Sequence, residues 1–75
     1  MAVNYAYYYA IIDLNSGLCI EVTDTTNYYN RADYIPIDEP NGEYLLKYYY
    51  SIPQTAGDFN GKWYTTADHS TEWVP

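Results

Sequence analysis

Cysteine is nearly absent from this chain: Cys19 stands alone among 75 residues, so no internal disulfide can brace the fold. Cations are almost as scarce. Only Arg31, Lys47 and Lys62 face ten acidic residues, which leaves a formal net charge of −7. Neutralising phosphates requires a basic surface that so few cations do not supply, so direct nucleic-acid binding is not expected. No apolar run approaches the roughly 20 residues that span a bilayer, and membrane insertion is not expected either. Residues 1–12 carry no basic segment and are interrupted by Asn4, unlike a signal peptide. The glycines at 17, 42, 57 and 61 are isolated, so nothing resembles a phosphate-cradling loop. One cysteine and one histidine, His69, fall short of a structural zinc set, and no metal or cofactor is expected.

Tyrosine, by contrast, supplies 12 residues, and they cluster. Tyr5, Tyr7, Tyr8 and Tyr9 come first, then Tyr28 and Tyr29, then Tyr44, Tyr48, Tyr49 and Tyr50. A tyrosine combines a rigid apolar ring and a polar tip with only two side-chain torsions, which suits a half-wet contact surface. The aliphatic inventory is thin and includes Val3 near the start. Several tyrosines, with Trp63 and Trp73, must therefore complete the core. A single domain this small buries only about 60% of the surface of its unfolded chain. Lacking disulfides and metal, it is expected to gain stability from a second copy or a partner. Cys19 lies between Leu18 and Ile20 and reads as a buried or semi-buried free thiol.

The pattern along the chain is mainly β: a small, single-domain antiparallel sheet of hairpins over residues 1–75, with room for one short helical turn. Residues 7–14 are aromatic and branched, and Asn15, Ser16 and Gly17 form a hairpin turn. Residues 18–23 alternate, which predicts Leu18, Ile20 and Val22 on the buried face and Cys19, Glu21 and Thr23 on the other. Residues 24–33 read as a loop with short polar side chains that favour turns. Pro36 holds residues 34–37 extended and, having no donor, places them at a sheet edge. Residues 38–42 turn. Residues 43–47 fit a helix or a strand, and a strand is expected from about Leu46. After a loop, residues 62–66 return as a strand, and residues 71–74 form a short final one.

No constellation carries chemistry. Asp68, His69 and Ser70 are the residue types of a hydrolase triad, but adjacent side chains diverge, and a polar turn is the better reading. Cys19 and His69 are the only thiol and base, with nothing to mark either as activated. Asp38, Glu39 and Glu43, or Asp24 with Asp33, lack the ligand spacing of a calcium loop and read as solvated carboxylates. No enzyme is expected. The candidate contact residues are instead aromatic. In extended chain, Tyr7 and Tyr9 point away from Tyr8, and Tyr48 and Tyr50 point away from Tyr49, so each run places rings on both faces of its sheet.

The segments Tyr8-Tyr9-Ala10-Ile11-Ile12, Gly17-Leu18-Cys19-Ile20, Tyr34-Ile35-Pro36-Ile37, Leu45-Leu46-Lys47-Tyr48-Tyr49 and Asn60-Gly61-Lys62-Trp63-Tyr64 together resemble short proteins encoded in the tail and baseplate gene modules of phages and prophages of Gram-positive bacteria. The sequence departs from them by inserting residues 51–59 and by carrying extra residues before Tyr7. The resemblance implies phage origin and a non-enzymatic role, in the virion or in the host cytoplasm. The expected function is that of a small tail- or virion-associated interaction protein. It would act through a tyrosine-rich interface on a protein partner and as a homo-oligomer. The alternative is an inhibitor of a host defence system that imitates nucleic acid with carboxylates at Asp33, Asp38, Glu39 and Glu43. A nucleotide sponge is a weaker variant, because the net charge repels phosphates.

Overall fold

A computed structural model describes residues 7–39 and 41–75; Val3, Asn4 and Tyr5, and Pro40 of the acidic turn, lie outside the described residues. The chain is mainly β, as its turn and alternation signals predict. The strands are β1 (Tyr7–Ile12), β2 (Cys19–Thr25), β3 (Tyr34–Pro36), β4 (Tyr48–Tyr50), β5 (Lys62–Tyr64) and β6 (Glu72–Trp73), with one 3-10 turn, Gly42–Tyr44. They form two three-stranded antiparallel sheets, ordered β2-β1-β3 and β4-β5-β6.

The first hairpin closes through Asp13. Its N–H donates to the Leu18 carbonyl at 2.9 Å, its carbonyl accepts from Gly17, and its carboxylate accepts from the Ser16 hydroxyl at 2.9 Å. Gly17 sits at φ +78°, and a Cβ there would collide with the Tyr49 carbonyl, so only glycine fits.

The face expected for β2 holds at Val22, which packs against the core, and is overturned at Cys19 and Ile20. Cys19 is fully buried and Ile20 is 60% exposed. The cause is a bulge: Ile11 pairs with Glu21 but Ile12 pairs with Cys19, so Ile20 is an extra residue with no partner on β1. Ala10 and Ile12 point into the core, and they face Val22 and Cys19 respectively. The extra residue lets Val22 and Cys19, three apart in sequence, share that face, and the core-facing pairs on β1 override the alternation of β2. The Cys19 thiol donates to the Glu21 carbonyl at 3.4 Å, and burial pushes its pKa up.

The two sheets are joined where the first hairpin meets β4. Leu18 bridges to Tyr48, Cys19 N–H donates to the Lys47 carbonyl at 2.8 Å, and Tyr49 N–H donates to the Gly17 carbonyl at 2.8 Å. Residues 43–47 are correspondingly not a strand. The Asn41 side chain caps the 3-10 turn by accepting from Glu43 N–H at 2.9 Å. Leu46 then takes φ +66° while its N–H reaches the Cys19 carbonyl at 3.1 Å. The strand expected from Leu46 therefore begins at Tyr48. β3, with Pro36, lies at a sheet edge as expected, and residues 24–25 extend β2 rather than open the loop.

One core spans both sheets: Ala10, Ile12, Cys19 and Ile35 meet Tyr44, Tyr49 and Trp63, with Trp73 packed against them. Tyr49 and Trp73 are both opposite Trp63 on β5, which puts all three rings on one face. The aromatic contacts are edge-on, with centroids 5.0 Å apart for Tyr44 and Trp63, 5.1 Å for Tyr44 and Trp73, and 5.2 Å for Tyr49 and Trp63. Such pairs add about 0.5–1.5 kcal/mol each beyond area burial. Aromatics thus supply the core volume that the few aliphatic residues leave unfilled.

Candidate functional site

Alternation along β1 sends Tyr8, Ala10 and Ile12 one way and Tyr7, Tyr9 and Ile11 the other. β3 pairs Tyr34 opposite Ile11, so Tyr34 joins the second group. The loop after β2 then folds Tyr28 and Tyr29 over the same face. Tyr9 is the centre of the cluster: 2% exposed, with its ring 5.8 Å from Tyr29 and 5.6 Å from Tyr34, both edge-on. Its hydroxyl accepts Tyr29 N–H at 3.0 Å, which anchors the loop to the strand. Tyr7 stacks 6.3 Å from Tyr9 and meets Tyr28 edge-on at 5.6 Å. Arg31 lies 5.1 Å over the Tyr34 ring and is bidentate to Asp33, at 3.0 and 3.1 Å.

The result is a tyrosine face with a fixed floor and an exposed rim. Tyr9, Tyr29 and Tyr34 are packed into the floor, whereas Tyr28 is 65% exposed and Tyr7 is exposed beside it. Tyr8 lies half-buried on the opposite face. On β4, Tyr49 is buried in the core, its hydroxyl accepting Gly61 N–H at 2.9 Å. Tyr48 is half-buried beside the hairpin bridge, and Tyr50 is exposed. Tyr50 and Tyr64 hold the His69 ring between them, with centroids 4.5 and 5.0 Å away. The structure thus brings Tyr7 and Tyr9 into one cluster and leaves Tyr8, Tyr48, Tyr49 and Tyr50 outside it. Sequence reasoning did not single out Tyr28, Tyr29, Tyr34 or Arg31 as contact residues, because only the pairing of β1 with β3 and the folding of the loop after β2 onto Tyr9 place them there.

The turn at 66–70 is built from hydrogen bonds that do not involve the imidazole. Thr66 and Ser70 hydroxyls lie 3.1 Å apart, and the Asp68 carboxylate accepts Ser70 N–H at 3.1 Å. Hydrogen bonds from Ser70, then Thr66, hold the Asp68 carboxyl below the usual range. His69 Nε2 is buried with no hydrogen-bond partner among the described residues. It borders a pocket of about 210 Å³ shared with Tyr50, Gln54 and the first hairpin turn. No group of three or more His, Cys, Asp or Glu placed to hold a metal occurs among the described residues. No helix among them is long and apolar enough to cross a membrane.

The acidic candidates divide into two sets. Asp33 is engaged by Arg31. Asp38 and Glu39 are exposed and line a second pocket, of about 150 Å³, with Asn41, Tyr44 and Pro75. Glu43 follows on the 3-10 turn, its carbonyl accepting from Lys47 Nζ at 3.0 Å. Compared with known proteins, the chain matches no family, and no curated protein or solved structure gives a match.

Proposed function

We propose that this chain is a small, non-enzymatic interaction protein of phage origin, associated with the tail or virion, that engages a protein partner or a second copy through the tyrosine face of its first sheet. The observation that carries the reading is the division of labour within that face. Tyr9 is buried and hydrogen-bonded to the backbone of Tyr29, so the platform is preorganised, while Tyr28 and Tyr7 present exposed rings on it. Rigid, exposed tyrosines on a fixed floor are the residue type and setting of interface hot spots, because little entropy is lost when they dock. The strand segments that resemble phage tail proteins support the origin.

Light scattering tests the interface. Tyr28→Ala and Tyr7→Ala are expected to shift the oligomer toward monomer, or to weaken capture of the tail partner, without altering the fold. Mass and capture unchanged in both variants would refute the tyrosine interface. Peptide mass spectrometry of purified particles tests the location, with the tryptic peptide of residues 48–62 expected at stoichiometric levels.

A second reading, an intracellular inhibitor that imitates nucleic acid, is favoured by one observation: Asp38, Glu39 and Glu43 have no ion-pair partner among the described residues. It predicts the peptide in infected-cell lysate only, and a complex that weakens steeply with salt.

A further inference from the structure

His69 Nε2 is the buried polar side-chain atom left without a hydrogen-bond partner among the described residues. Most buried polar groups have one, so the gap needs a cause. The backbone holds the imidazole in an unusual way: His69 takes φ +60°, a left-handed conformation that few residues other than glycine adopt, with its N–H on the Thr66 carbonyl at 3.1 Å. The ring lies against Tyr50 and Tyr64 and borders the pocket of about 210 Å³. That pocket opens where the two sheets meet, between the first hairpin turn and the end of β4.

The pocket's lining is neutral in an acidic chain. Against a net charge of −7, no aspartate, glutamate, lysine or arginine lines it among the described residues. Leu14 and the Tyr50 ring, 55% and 42% exposed, supply apolar surface. Hydrogen-bonding capacity is left over at three points. Gln54 gives its side-chain N–H to the Ala32 carbonyl at 3.1 Å, and since a carbonyl only accepts, the amide oxygen is the atom that stays free. The Asn15 side chain has no hydrogen-bond partner among the described residues, its turn being held through its backbone N–H. His69 Nε2 is the third.

We propose that this pocket binds one neutral pyranose ring, either a free sugar or the end of a glycan, whose hydroxyls meet Asn15, Gln54 and His69 while its C–H face lies on Tyr50. A hydroxyl both donates and accepts, so it serves the Gln54 oxygen, the Asn15 amide and Nε2 in either tautomer. The volume is below the about 300–1,000 Å³ of pockets that enclose drug-sized ligands, which suits a single small ring. A phosphorylated or carboxylated sugar is disfavoured, because the pocket offers no cation against the chain's net charge. Nε2 is closed to water in the empty pocket, and binding turns the Tyr50 ring from the imidazole onto the sugar, which opens Nε2 and keeps the aromatic surface covered. The site shares no residue with the tyrosine face of the first sheet and does not depend on that face being an interface.

The test titrates the intact protein with methyl glucoside, methyl galactoside and methyl N-acetylglucosaminide, followed by nuclear magnetic resonance of side-chain amides and the imidazole. Saturable shifts are expected at Asn15, Gln54 and His69 with at least one of the three. Tyr50→Ala is expected to abolish binding and Tyr50→Phe to retain it. Asn15→Ala, at an exposed turn position outside the core, is expected to weaken binding about two- to tenfold, and so is His69→Asn, which suits the left-handed backbone. Ile20→Thr, away from the pocket, is the control and is expected to leave binding unchanged. Repeating the titration with the unmethylated sugar separates the two sources: equal affinity identifies a glycan end, and binding of the unmethylated sugar alone identifies a free sugar. The absence of saturable shifts with every sugar would overturn the proposal and leave water as the occupant. Equal shifts with glycerol or acetamide would overturn it too, as would undiminished binding by both Tyr50→Ala and Asn15→Ala. Because the probes are small molecules, failure here leaves the tyrosine-face reading standing, and failure of that reading leaves this one.

Discussion

Tyr49 and Gly61 hold each other in register: the tyrosine hydroxyl accepts the glycine N–H at 2.9 Å, and a Cβ at Gly61 would collide with the Tyr49 ring and the Tyr50 carbonyl. This contact pins β5 against β4 from the loop side. Tyr49→Phe keeps the ring and loses only the bond, so about 0.5–1.5 kcal/mol of stability should disappear. Gly61→Ala should cost more, about 1–3 kcal/mol, by overpacking a closed space. Urea unfolding followed by tryptophan fluorescence measures both.

The bulge on β2 makes neighbours unequal. Ile20→Thr changes an exposed side chain and should alter stability by no more than about 0.5 kcal/mol. Cys19→Leu enlarges a fully buried one and should cost about 1–3 kcal/mol. A regular strand with Ile20 inside and Cys19 outside would reverse that order in the same unfolding assay.

Within the tyrosine face, floor and rim should separate in the same way. Tyr9→Ala empties the centre of the cluster and frees the Tyr29 N–H, for a loss of about 3–5 kcal/mol. Tyr28→Ala removes an exposed ring and should stay within about 0.5 kcal/mol of the parent while affecting association. Thermal melts paired with light scattering distinguish the two effects.

Alkaline pH should destabilise the fold in two stages. The Cys19 thiol is raised by burial, and Tyr44 by burial and then by Asp38 and Glu39. In both cases the folded state disfavours the anion. The associated stability is present below the unfolded pKa, near ~8.5 for cysteine and ~10 for tyrosine, and is lost as pH rises through the higher folded value. Stability measured against pH should therefore fall above about 8.5, with Cys19→Ala flattening the first stage and Tyr44→Phe the second. Profiles unchanged in both variants would show that these groups do not carry the effect.

Salt should stabilise this protein. Asp33 and Glu72 are the acidic residues in ion pairs among the described residues, and the net charge of −7 leaves the rest to repel one another. Raising ionic strength from about 10 mM to 150 mM shortens the screening length from about 30 Å to about 8 Å, so the melting temperature should rise over that range. A fall would mean that the two surface ion pairs outweigh the repulsion.

What the sequence determined by itself is whatever rests on local physics. Turn chemistry at Asn15-Ser16-Gly17 placed the first hairpin, Pro36 placed β3 at an edge, and the shortage of aliphatic residues required some tyrosines and both tryptophans in the core, without saying which tyrosines. The division of tyrosines between two faces was equally legible, since alternation follows from backbone geometry alone. The tertiary structure decided the rest. The bulge that buries Cys19 instead of Ile20 exists because Ala10 and Ile12 dictate the facing pairs. The left-handed Leu46 arises where the chain leaves a capped 3-10 turn and must reach the Cys19 carbonyl. The meeting of Tyr34 with Tyr9, and of Tyr44 with Asp38 and Glu39, depends on strand pairing and loop closure between distant segments. No window of neighbouring residues contains that information, because long-range contacts select among several local patterns that are each acceptable alone.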